Sequence, residues 1–129
     1  MWPAQITALY VALHAVLLLT LAVLVMLQRG RHKVGLGDGG QASLTQAIRA
    51  HGNAVEYVPI ALLLLLVYEL NGGNGSLLHT CGIVLLASRI AHAWGLSRSS
   101  GESIGRAAGV VGTFLVILVL VGANLLRVL

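Results

Sequence analysis

Arg49, Asn53 and Glu56 stand at i, i+4 and i+7 in the stretch RAHGNAVEYVP, residues 49–59, immediately ahead of the apolar run IALLLLLVYEL. On a helix that spacing puts all three on one face. Arg89 and His92 share a face in SRIAHAWGL, and Arg106 opens the last apolar segment. A guanidinium keeps its charge at any ordinary pH and matches a carboxylate bidentately. Arg49, Arg89 and Arg106 set against Glu56 leave a surplus of positive charge, which suits an anionic ligand.

The elements that must carry these residues are unusual in composition. Of 129 residues, 57% are hydrophobic and 9% charged, against roughly 25% charged in soluble domains. About 20 apolar residues cross a bilayer, and four segments qualify: 4–28, 47–70, 76–96 and 104–127. They are continuously apolar rather than alternating, which excludes a β-barrel. The first has no basic residue before Arg29 and is longer than a signal peptide's core, so it reads as a retained helix. Short connections imply antiparallel neighbours. The expected fold is an all-α integral membrane protein, an up-down bundle of four transmembrane helices forming one domain over 1–129, without repeats.

Lys and Arg cluster at loops 29–46 and 97–103, while 71–76 has none. The positive-inside rule makes both basic loops cytoplasmic and puts both termini on the other side. The net charge of +4 therefore speaks for membrane lipid headgroups and orientation rather than nucleic acid. Counted from the helix ends, Asn53, Glu56, Arg89 and His92 fall within the hydrocarbon near its cytoplasmic side, where ionisable groups are costly and face the bundle interior or a cavity. The structural alternative is a buried ion-pair network, Glu56 with Arg49 or Arg89, that holds the helices in register.

Other motifs take plainer readings. GLGDGG, residues 35–40, spells the dinucleotide fingerprint, but that fingerprint works only between a strand and a helix; a flexible linker is expected. NGS, residues 74–76, spells a glycosylation acceptor inside what reads as a tight turn. His14 is expected to bond a neighbouring helix, Cys81 to be a small packing residue, and Trp2 and Trp94 to sit at opposite interfaces. His32 belongs to the basic loop and His79 to the outer interface. No pattern of metal ligands is present in the sequence, so no metal site is expected. GRAAG with Gly112 makes a face of small residues that lets helices approach closely. A small multidrug transporter is disfavoured, because the first helix carries no acid.

Taken together, RAHGNAVEYVP in a second helix, SRIAHAWGL in a third and GRAAG opening a fourth resemble the MAPEG family, the membrane-associated proteins of eicosanoid and glutathione metabolism, in its bacterial branch. The resemblance covers essentially the whole chain. It implies a homotrimer in a bacterial inner membrane that binds glutathione between subunits near the cytoplasmic face. It also implies transfer of glutathione to lipophilic small molecules or reduction of hydroperoxides. On this resemblance Arg49, Asn53, Glu56, Tyr57, Arg89 and His92 bind glutathione and Arg106 is catalytic, stabilising the thiolate. Eicosanoid-specialised members carry a Tyr four residues beyond the position of His92; here that residue is Leu96, which argues for generic transferase or peroxidase chemistry. The alternative is a non-enzymatic membrane protein whose polar cluster is structural.

Overall fold

The computed structural model describes residues 3–98 and 103–129; Trp2 and residues 99–102, part of the connection expected at 97–103, lie outside them. Four helices follow in order: α1 Gln5–His32, α2 Ala42–Leu70, α3 Gly75–Arg98 and α4 Ile104–Val128. Each is long and apolar enough to cross a membrane. Each expected span is present, and the helices run beyond them. α1 continues four residues past 28, and α2 starts five residues before 47. Apolar counting marks where hydrocarbon ends, and an amphipathic turn such as ASLTQ extends a helix past that point.

The first connection is correspondingly short, and it is not a flexible linker. Asp38 Oδ1 accepts from the Gly40 N–H at 3.0 Å, and Asp38 Oδ2 accepts from the Thr45 hydroxyl at 2.9 Å. These bonds, the Gly40 N–H first, hold the Asp38 carboxyl below its usual range. Arg29 donates to the Gly37 carbonyl at 2.8 Å. Gly37 and Gly40 have φ of 68° and 73°, the left-handed region that glycine adopts without a Cβ penalty. The glycines serve a hydrogen-bonded turn between two helices, with no strand to make a dinucleotide site. In the second turn Asn74 of the NGS triplet accepts from the Leu77 N–H at 3.1 Å and so caps α3.

α2 supplies the spine of the bundle. Its buried residues Ala50, Ala54, Val58, Ala61, Leu65 and Tyr68 recur every three or four positions, a single helical stripe. At its Tyr68 end this stripe packs with Tyr10, Leu78, Cys81, Leu85, Val116 and Leu120; at its Ala50 end it meets Leu21, Ala93 and Leu96. Cys81 is thus a packing residue, as expected. α3 and α4 approach along glycines. A Cβ on Gly109 would lie 2.5 Å from the Ser88 carbonyl oxygen and 2.6 Å from His92 Cβ, and one on Gly112 would strike the Ser88 side chain. The small-residue face read from GRAAG and Gly112 is therefore the α3–α4 contact.

One polar tie carried no warning in the spacing. Glu69, in the last turn of α2, accepts from the backbone N–H groups of Ile6 at 2.9 Å and Thr7 at 2.7 Å. Helix α1 has no side-chain cap of its own, and a carboxylate there satisfies two orphan donors at the positive end of the helix dipole. His14 departs from expectation: its Nδ1 bonds the Tyr10 carbonyl at 2.7 Å, one turn back on its own helix, although the ring is fully buried.

Candidate functional site

The face carrying residues 49, 53 and 56 is offset by one residue from the buried stripe 50, 54, 58 on α2, a rotation of about 100°. It therefore runs along the edge of the core rather than into it. Asn53 is half-buried, whereas the Arg49 and Glu56 side chains are 61% and 52% exposed in the single chain. They face each other at 4.0 Å, Arg49 Nη1 to Glu56 Oε1. The ion pair expected of the structural alternative thus exists, but at the bundle's surface.

Arg89 lies behind this face. It is 1% exposed, the largest fully buried side chain of the molecule among the described residues. Its Nη2 donates to Asn53 Oδ1 at 2.7 Å and its Nη1 to the Thr113 hydroxyl at 3.4 Å, while Thr113 donates to the Gly109 carbonyl. Arg89 thus ties α3 to α2 and α4 through neutral oxygens.

The front of the cluster opens on a cavity of about 420 Å³, walled by Thr45, Gln46, Arg49 and Asn53 of α2, His92 and Leu96 of α3, and Arg106 of α4. Ser103 caps α4 by accepting from the Arg106 N–H at 3.3 Å, which fixes the turn from which the Arg106 side chain departs. A second, more apolar cavity of about 740 Å³ adjoins it along Ile104, Ala107, Val110 and Val111. His92 and Arg106 line both. The junction between a polar cavity and an apolar one is thus made by an imidazole and a guanidinium.

Of the seven residues singled out from the sequence, the structure brings Arg49, Asn53, His92 and Arg106 to this cavity. Arg89 supports Asn53 from behind. Glu56 turns toward Arg49 at the surface, and Tyr57 packs its ring on Phe114 of α4 at 5.3 Å between centroids, so neither lines the cavity. Thr45 and Gln46 were not anticipated: they belong to the stretch that apolar counting assigned to a loop. Leu96 gives the cavity an aliphatic wall.

Four membrane-length helices, with arginines and an asparagine from three of them gathered around one cavity, define a multi-pass membrane protein with a polar site between its helices. The chain matches the MAPEG family model over residues 7–126 and belongs to that family. It is 43% identical over 121 residues, 94% of this chain and 91% of the relative, to inner membrane protein YecN of Escherichia coli K12. Its match to YecN of Escherichia coli O6:H1 has the same identity and coverage. The name of these relatives gives a location and no reaction.

Proposed function

We propose that this protein is a membrane glutathione transferase or glutathione-dependent peroxidase acting on lipophilic electrophiles or hydroperoxides. The observation that carries the reading is the convergence of Arg49, Asn53, His92 and Arg106, from three helices, on one cavity of about 420 Å³. Glutathione presents two carboxylates and would supply a thiolate nucleophile. Arg49 and the Asn53 amide suit its carboxylates, by charge-assisted hydrogen bonds. Arg106, at the junction with the apolar cavity, suits the sulfur, because a guanidinium in a low-dielectric site favours the thiolate over the thiol. The apolar cavity beside it suits a lipophilic partner arriving from the bilayer.

The same reading includes an inner-membrane location, cytoplasmic loops at 29–46 and 97–103, and a homotrimer. Glu56 supports the assembly: a carboxylate at hydrocarbon depth is disfavoured against lipid, and a neighbouring subunit would cover it together with its partner Arg49. Glutathione's amine would find Glu56 there.

The test is glutathione binding to the detergent-purified protein, with thiolate absorbance followed in wild type and Arg106→Ala. Saturable thiolate formation that is lost in Arg106→Ala, with binding retained, is the expected result. Absence of binding at millimolar glutathione to an intact oligomer would overturn it. The second reading, a structural cluster, is favoured by the Arg89–Asn53 bond and the Arg49–Glu56 pair, which give these groups partners within the chain. On that reading Arg106→Ala lowers thermal stability, and glutathione leaves wild type unchanged.

A further inference from the structure

A separate groove of about 310 Å³ runs between α1 and α3, lined by Leu17, Leu21, Leu24, Ile90, Trp94 and Arg98, with Ala93 at its base. We propose that it is a binding site for an anionic phospholipid, with one acyl chain along the groove and the phosphate at Arg98. The inference is independent of the reading of the polar cavity, which α1 does not line.

Three features fit one occupant. The floor is aliphatic, and Leu24 and Ile90 are 43% and 49% exposed, so the single chain leaves this seam open. From Ile90 to Arg98 the groove extends roughly 12 Å by helical rise, most of the roughly 15 Å half-thickness of a bilayer's hydrocarbon. It is therefore the length of one leaflet's share of chain. At its mouth the Arg98 guanidinium lies 4.3 Å over the Trp94 ring, a cation held in place by a cation–π contact. Trp94 itself is 61% exposed, at the level where indole rings meet headgroups.

Charge selects the headgroup. Leu17, Leu24 and Arg31 are spaced by seven, so Arg31 continues the same face of α1 beyond the groove. Among the described carboxylates, Asp38 holds Gly40 and Thr45, Glu56 faces Arg49, and Glu69 caps α1 at the opposite end; none lines the groove. A phosphate diester without a compensating ammonium fits this mouth, and guanidinium matches phosphate oxygens in pairs. A second copy docking face to face would bring its own Arg98 and Arg31 against these.

The experiment uses the full-length chain with Trp2→Phe, which leaves Trp94 as the sole indole, in vesicles of phosphatidylcholine with a minority of phosphatidylglycerol. Bromine on the acyl chains of one lipid or the other quenches a neighbouring indole. Bromination of phosphatidylglycerol is expected to quench Trp94 roughly fivefold more than its mole fraction predicts, the preference one basic residue confers at an anionic surface. Arg98→Gln should return quenching to the mole fraction, and Arg98→Lys should keep most of the preference. Quenching in proportion to mole fraction in the parent protein overturns the site. So does a preference that survives Arg98→Gln. Trp94 unquenched by either brominated lipid also overturns it and assigns the groove to a second copy.

Discussion

Arg89 decides which way the Asn53 amide faces. A guanidinium only donates, so Asn53 must offer Arg89 its oxygen, as it does at 2.7 Å, and the amide N–H groups are left for the cavity. Arg49, Asn53 and Arg106 then present donors to the cavity. Asn53→Asp tests this orientation. The aspartate keeps the size of the side chain and gives Arg89 an anionic partner, so thermal stability in detergent should hold or rise. It also removes the donor and sets a negative charge facing the ligand. The loss of a hydrogen bond to a charged group, about 1.5–3 kcal/mol, should weaken glutathione binding by tenfold or more in a titration. Equal binding by Asn53→Asp and wild type would remove Asn53 from the site. Residue types and spacing made Arg49, Asn53, His92 and Arg106 legible from the sequence, because charge inside an apolar run is rare and therefore informative. They could not separate Arg89, which supports, from its neighbours, which line. Arg89 and His92 are three residues apart on α3 and share a face, so spacing does not tell the buried one from the one that lines the cavity.

The α3–α4 seam is where helix packing and the site depend on each other. Gly109 faces both the Ser88 carbonyl and His92 Cβ, so the close approach that seats His92 beside Arg106 requires hydrogen at that position. Gly109→Ala must move one helix or the other. Overpacking of this kind costs about 1–3 kcal/mol, measurable as a lowered midpoint of thermal unfolding in detergent, and the same displacement should weaken ligand binding. A change at Gly122, where an added Cβ meets nothing within 4 Å, should do neither. The existence of all four helices was legible because each carries a long apolar run. Their ends were not. The α2 start at Ala42 depends on Asp38 and Gly40 closing a turn, and the α1 start depends on Glu69, 63 positions away from Ile6. Long-range caps leave no local signature beyond the missing one at Ala4.

For the whole molecule, the proposed function carries a homotrimer in which a neighbouring subunit covers the exposed pair Arg49 and Glu56. Light scattering of the detergent-solubilised protein, corrected for bound detergent, should give three times the chain mass. Glu56→Leu, which leaves Arg49 without its partner, should shift the population toward smaller species. A monomer that binds glutathione as wild type does would separate the site from the assembly.

Arg89 also bears on how the chain enters the membrane during synthesis. It is the most deeply buried arginine in the described bundle, and its two hydrogen-bonding partners lie on either side of it in the sequence. Asn53 on α2 has already left the ribosome when α3 emerges, whereas Thr113 on α4 has not. With only residues 71–74 between α2 and α3, the asparagine is on hand to meet the guanidinium as α3 partitions into lipid. The wall that Arg106 of α4 adds to the cavity is thus the last part of it to be made.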